Sequence, residues 1–135
     1  MYQQMIFPNL PVKDLEASKT FYTGLGYSLN PTFSDEHTAC VVISDAIVLM
    51  LLDHERYAQF TKKEIADAHR TSQALLGLSA ESRADVDRLV DTALSLGGTP
   101  AGEPQDYGTM YGRSFDDPDG HTWEVIWMDP AAVTG

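Results

Sequence analysis

A chain of 135 residues with 43% apolar content can bury the core of one domain unaided, and its single cysteine, Cys40, has no internal disulfide partner. Its 20 acidic residues against 9 Lys and Arg give a formal charge of −11, a field that repels a phosphate backbone, so nucleic acid is not expected as a partner. The longest apolar run, Ala46–Leu52, is too short to span a bilayer and Met1–Met5 carries no basic lead-in to an apolar segment, so no membrane role and a cytoplasmic location are expected.

The segment Met5–Val12 is mostly apolar and reads as a strand. Asp14 follows as a carboxylate N-cap for a helix through Leu15–Tyr22, which Gly24 and Gly26 bring to an end. Tyr27–Phe33, His37–Ile43 and Ala46–Asp53 read as three short strands, with turns at Asp35-Glu36 and Ser44-Asp45. The last is apolar on both faces, one to meet helices and the other to line an interior surface. Cys40 lies in the apolar run Ala39–Ile43 and reads as a buried structural thiol.

Glu55–Arg70 is polar with a few apolar residues and reads as a connector containing short helix. The order then repeats. Ala74–Leu78 is an apolar strand, and Ser82 opens a capping box with Asp85. Val86, Leu89, Val90 and Ala93 follow helical spacing up to Gly97-Gly98. Thr99–Asp106, Thr109–Phe115 and His121–Met128 complete three more strands. Matching Asp14 to Ser82 gives an offset of 68 residues, too long for a solenoid repeat, so a module is duplicated. The expected architecture is α+β: two βαβββ modules whose curved mixed sheets surround a cleft. Module one covers about residues 1–55, the connector about 56–70 and module two about 71–130, all within one domain of 1–135.

Two stretches carry a family resemblance. One is Phe7-Pro8-Asn9-Leu10-Pro11-Val12-Lys13-Asp14-Leu15-Glu16-Ala17-Ser18 with Phe21-Tyr22-Thr23-Gly24-Leu25-Gly26-Tyr27; the other, more specific, is Phe115-Asp116-Asp117-Pro118-Asp119-Gly120-His121-Thr122-Trp123-Glu124-Val125. In the second, Asp117-Pro118-Asp119-Gly120 makes a tight turn, with Pro fixing φ and Gly accepting a positive φ. Over nearly its whole length the chain resembles the vicinal oxygen chelate superfamily of glyoxalases, bleomycin-resistance proteins and extradiol dioxygenases. The resemblance implies paired βαβββ modules, a small-molecule ligand and commonly a homodimer. In metal-binding members it also implies a divalent ion held by one residue from the first and one from the last strand of each module.

At those positions the chain departs from the pattern. Phe7 stands where such a member carries His, Met50 (or, one residue earlier, Leu49) where it carries Glu or His, and Gln73 is the match to the second His. Glu124 alone falls on a ligand position. One carboxylate with an amide does not make a site for Zn²⁺, Ni²⁺ or Fe²⁺, so no metal ligands and no cofactor are expected, with a divalent metal as the alternative.

Glu124 alternates with Trp123 and Val125 and so points to one face of its strand, where it can serve as general base or ligand anchor, or as a carboxylate bonded within the sheet. Phe7, Asn9, Met50 and Leu52 would form an apolar lining with one amide, or fill the core. Tyr111 and Arg113 sit among glycines and aromatics where they could meet a ligand; otherwise Arg113 pairs with Asp116 or Asp117. His121 reads as a brace for the hairpin and His54, beside Asp53 and Glu55, as surface, while His37 and His69 gain no partner from spacing. The expected ligand-binding set is therefore Phe7, Asn9, Met50, Leu52, Gln73, Tyr111, Arg113 and Glu124, with Glu124 the catalytic candidate. Three functions fit: a metal-independent small-molecule binder or enzyme; a metal-dependent lactoylglutathione-lyase-like or dioxygenase-like enzyme; and a structural module.

Overall fold

The computed structural model describes residues 2–134, with side chains through residue 132; the first and last residues of the expected domain lie outside the described residues. The chain divides into two compact units, Met1–Asp67 and Ala68–Gly135. Each is a mixed sheet with a principal helix, an α+β arrangement built twice.

In the first unit, β1 (Asn9–Val12), β2 (Ser28–Leu29), β3 (Thr38–Val42) and β4 (Val48–Asp53) lie in the order β1-β4-β3-β2. β1 runs parallel to β4 and the other neighbours are antiparallel. Pro11, which has no N–H to donate, is tolerated because β1 is an edge strand. Helix α1 (Leu15–Gly24) starts where Asp14 accepts from the Ala17 N–H at 3.1 Å, and it buries Leu15, Ser18, Phe21 and Tyr22. The core is Val12, Ala39, Val41, Leu49 and Leu51, all at 0% exposure, with Cys40 at 4%. A strand over Tyr27–Phe33 is not what forms: Pro31 fixes its φ and withholds a donor, so pairing stops at Leu29 and Pro31–Phe33 becomes a 3₁₀ turn capped by the Asn30 side chain. A one-turn helix, α2 (His54–Tyr57), follows β4 and is capped by Asp53.

In the second unit, β5 (Leu75–Ser79), β6 (Thr99–Pro100), β7 (Gln105–Asp106), β8 (Met110–Asp116) and β9 (Thr122–Met128) form one sheet ordered β5-β9-β8-β6, with β7 also paired to β8. Helix α3 (Arg83–Ser95) starts at Ser82, whose hydroxyl accepts from the Asp85 N–H at 3.1 Å, and it buries Val86, Val90 and Ala93. The expected strand Thr99–Asp106 breaks in two, because Gly102 and Pro104 interrupt the ladder. The β8–β9 turn forms as expected: Gly120 takes φ +89°, its N–H donates to the Asp117 carbonyl at 3.0 Å, and the Asp117 carboxylate accepts from the Asp119 and His121 N–H groups at 2.9 Å. A short helix, α4 (Pro130–Thr134), ends the described chain. Among the described residues no helix is long and apolar enough to cross a membrane.

Candidate functional site

The two faces of the second sheet do different things. Side chains alternate along β8 and β9, so Tyr111, Arg113, Phe115, Trp123, Val125 and Trp127 share the face that carries α3. There the Tyr111 hydroxyl donates to Asp87 at 2.6 Å, and Arg113 donates to Asp87 and to Asp91, each at 2.9 Å. These bonds hold the Asp87 carboxyl below its ordinary range, Tyr111 contributing most and Arg113 next. Arg83 lies over the rings of Tyr111 and Trp127 at 5.1 and 5.2 Å and grips Asp106 through two bonds of 2.8 Å. That grip lowers the Asp106 pKa to about 2.

The polar ends of Tyr111 and Arg113 are thus committed to α3. The ion-pair partners of Arg113 are Asp87 and Asp91, where Asp116 or Asp117 was the expected alternative. Helical spacing in α3 hints at this, since Asp87 and Asp91 are one turn apart and share a face.

The opposite face carries Leu75 and Gly77 of β5, Thr122, Glu124 and Ile126 of β9, and Met110, Gly112 and Ser114 of β8. All of these except Gly77, with residues of the 101–105 loop, border a concavity of about 310 Å³, to whose wall Arg113 also contributes. Glu124, half-buried, stands on this face while Trp123 and Val125 are buried beneath it at 3% and 0% exposure. In register its neighbours are Gly77 on β5 and Ser114 on β8. A side chain at Gly77 would meet nothing within 4 Å, and one at Gly112 would touch Ile126 at 3.6 Å, so the two glycines keep the sheet surface open around the carboxylate. Gly112, which lines the concavity, was missed as a site residue; the available signal was glycine inside a strand, which often marks the close approach of a ligand or another backbone.

In the first unit, Asn9 and Met50 are register partners, and the Asn9 amide donates to the Phe7 carbonyl at 2.7 Å. Phe7 is 53% exposed, ahead of β1, whereas Leu52 is buried at 3%. Gln73 lies two residues before β5, exposed. Register relocates its role. Met50 pairs with Asn9, two residues after Phe7, and Glu124 pairs with Gly77, two residues after Leu75. Leu75, not Gln73, is the counterpart of Phe7. The pattern's positions are then Phe7 and Met50 in the first unit and Leu75 and Glu124 in the second, and of these side chains only the Glu124 carboxylate is a donor suited to a divalent transition metal.

Sequence spacing also missed His37. The β3–β4 register sets Thr38 against Leu52, and one step further His37 reaches Asp53, with Nδ1 to Oδ2 at 2.6 Å and Glu55 at 3.8 Å. The imidazole that meets these carboxylates is therefore that of His37, not of the neighbouring His54.

A family model for the Glyoxalase/Bleomycin resistance protein/Dioxygenase superfamily matches residues 4–125. Among solved structures, a hypothetical protein from S. aureus superposes with a TM-score of 0.78 at 27% identity, covering 94% of each chain. A glyoxalase/bleomycin resistance protein/dioxygenase family enzyme from Burkholderia phytofirmans PsJN gives 0.76 at 19% identity, covering 93% of this chain and 99% of its own. Fosfomycin resistance protein FosX from Mesorhizobium loti gives 0.70 at 17% identity over 100% of both chains, a likeness of fold. No curated protein matches the chain.

Proposed function

Because the chain belongs to the Glyoxalase/Bleomycin resistance protein/Dioxygenase superfamily, we propose that it binds or transforms a small molecule without the divalent metal used by metal-dependent members. The observation that carries this reading is the chemistry at the pattern's four positions: Phe7 and Met50 in the first unit and Leu75 in the second offer no carboxylate or imidazole, and Glu124 is the one acidic residue. Glu124 stands in the second unit's concavity with Ser114 and Thr122 as polar neighbours and Leu75, Met110 and Ile126 as apolar ones. An apolar wall with a few convergent polar groups is the ordinary chemistry of a ligand site. There the carboxylate would accept a hydrogen bond or a proton from the ligand. A single domain over residues 1–135, a cytoplasmic setting and a homodimer complete the reading.

The test is elemental mass spectrometry on untagged protein, before and after loading with Zn²⁺, Ni²⁺, Mn²⁺ and Fe²⁺ and desalting. The expected result is well under one metal per chain, with small-molecule hits in a thermal-shift screen weakened in Glu124→Gln. Stoichiometric metal lost on Glu124→Ala would overturn the reading and turn the search to lyase and dioxygenase substrates.

A further inference from the structure

Resting on the reading of the second unit's concavity as the ligand site, we propose that its ligand is an organic cation, a protonated amine or quaternary ammonium joined to an apolar body. Three charged residues border the concavity: Glu103, Arg113 and Glu124. Arg113 is committed to Asp87 and Asp91 on the helix-bearing face, so the charges left to the ligand are two carboxylates. Among the described residues neither Glu103 nor Glu124 has an ion-pairing partner.

Among the described residues no lysine, histidine or arginine other than Arg113 lines the concavity to neutralise them. The unit contains no lysine and four arginines, of which Arg83, Arg88 and Arg113 are held by Asp106, Asp85, Asp87 and Asp91. The fourth, Arg70, lies before β5 and does not line the concavity. An anionic ligand would bring a third negative charge against two that already lack a counter-charge, whereas a cation supplies the missing partner. The chain's charge of −11 acts in the same direction at longer range.

The apolar part of the ligand follows from Leu75, Met110 and Ile126, and the room for it from Gly112. A volume of about 310 Å³ suits a compact molecule, near the lower end of the ~300–1,000 Å³ common for ligand sites.

The experiment titrates the full chain, labelled with ¹⁵N, with three probes of one carbon skeleton: 3-phenylpropylammonium, 3-phenylpropanol and 3-phenylpropanoate. Shifts of the Gly102 and Gly112 amides, both in the lining, report binding. The ammonium is expected to bind at least about tenfold more tightly than the other two, a preference that shrinks with added salt. Glu124→Gln should remove most of that preference, and Glu103→Gln part of it. Gly112→Ala, whose Cβ would stand in the concavity wall in ordinary contact with Ile126 and the Val125 carbonyl at 3.6 Å, should weaken all three probes while leaving the circular dichroism unchanged. Equal or tighter binding of the alcohol or the carboxylate at these glycines would overturn the cation assignment and leave the ligand site standing. No shift at either glycine from any probe would overturn both. A preference undiminished in both glutamate variants would overturn it as well.

Discussion

At the residue scale, individual side chains are set apart by the partners they have. Tyr111 and Arg113 bring a phenol and a guanidinium to a strand that borders the concavity, yet both are bound to α3. Arg113→Ala should therefore act on stability, by leaving Asp87 and Asp91 without their counter-charge, and its urea midpoint is expected to fall. The His37–Asp53 pair makes a pH prediction. The hydrogen bond to Asp53, aided by the charges of Asp53, Glu55 and Glu36, raises the His37 pKa above 6.5. That contribution is complete below pH 6.5 and fades as pH rises through the raised value. Asp53 is held below 3.8 by the Arg56 N–H and next by His37, and its share fades as pH falls from 3.8 through the lowered value. The gap in urea midpoint between wild type and His37→Gln should thus be widest between about pH 4 and 6.5 and narrow as pH rises above 6.5 through the raised value. A gap that widened with rising pH would contradict the pairing.

At the element scale, helix starts were the most legible features, because a cap is a local event between residues three apart. Asp14 and Ser82 both cap as their sequences suggest, and replacing either with Ala should cost about 1 kcal/mol in chemical denaturation. Strand extents were less legible. Tyr27–Phe33 and Thr99–Asp106 each contain proline, and an alternating pattern does not reveal how far pairing continues past it. Register was the main thing hidden. Gln73 and Leu75 differ by two residues, the period of a strand, so sequence alone could not choose between them; the parallel pairing of β5 with β9 does. Pairing across β3 and β4 was equally out of reach for His37, whose partner is 16 residues away. Turn chemistry, by contrast, was readable at Asp117–Gly120. Gly120 combines φ +89° with backbone and side chain of His69 lying 2.7 and 2.9 Å from where a Cβ would stand. Gly120→Ala should lower thermal stability more than loss of either cap, as calorimetry would register.

At the scale of the whole molecule, the repeated module was visible because each unit restates one order of strands, helix and strands. The alternation of Glu124 with its buried neighbours placed its face, but the openness around it depends on Gly77 and Gly112, which come from two other strands. In light scattering, the proposed homodimer should give about twice the chain mass of 14.9 kDa. A monomer mass would remove that part of the reading without touching the ligand proposal. The distribution of rare residues has a further use. Cys40, the single cysteine, is packed at 4% exposure in the first sheet, where burial pushes its thiol pKa up. Both tryptophans, Trp123 and Trp127, belong to β9 of the second. Alkylation kinetics of the thiol therefore time the opening of one half, while indole emission follows the other, so a single wild-type sample under rising denaturant reveals whether the duplicated halves come apart in concert or in sequence.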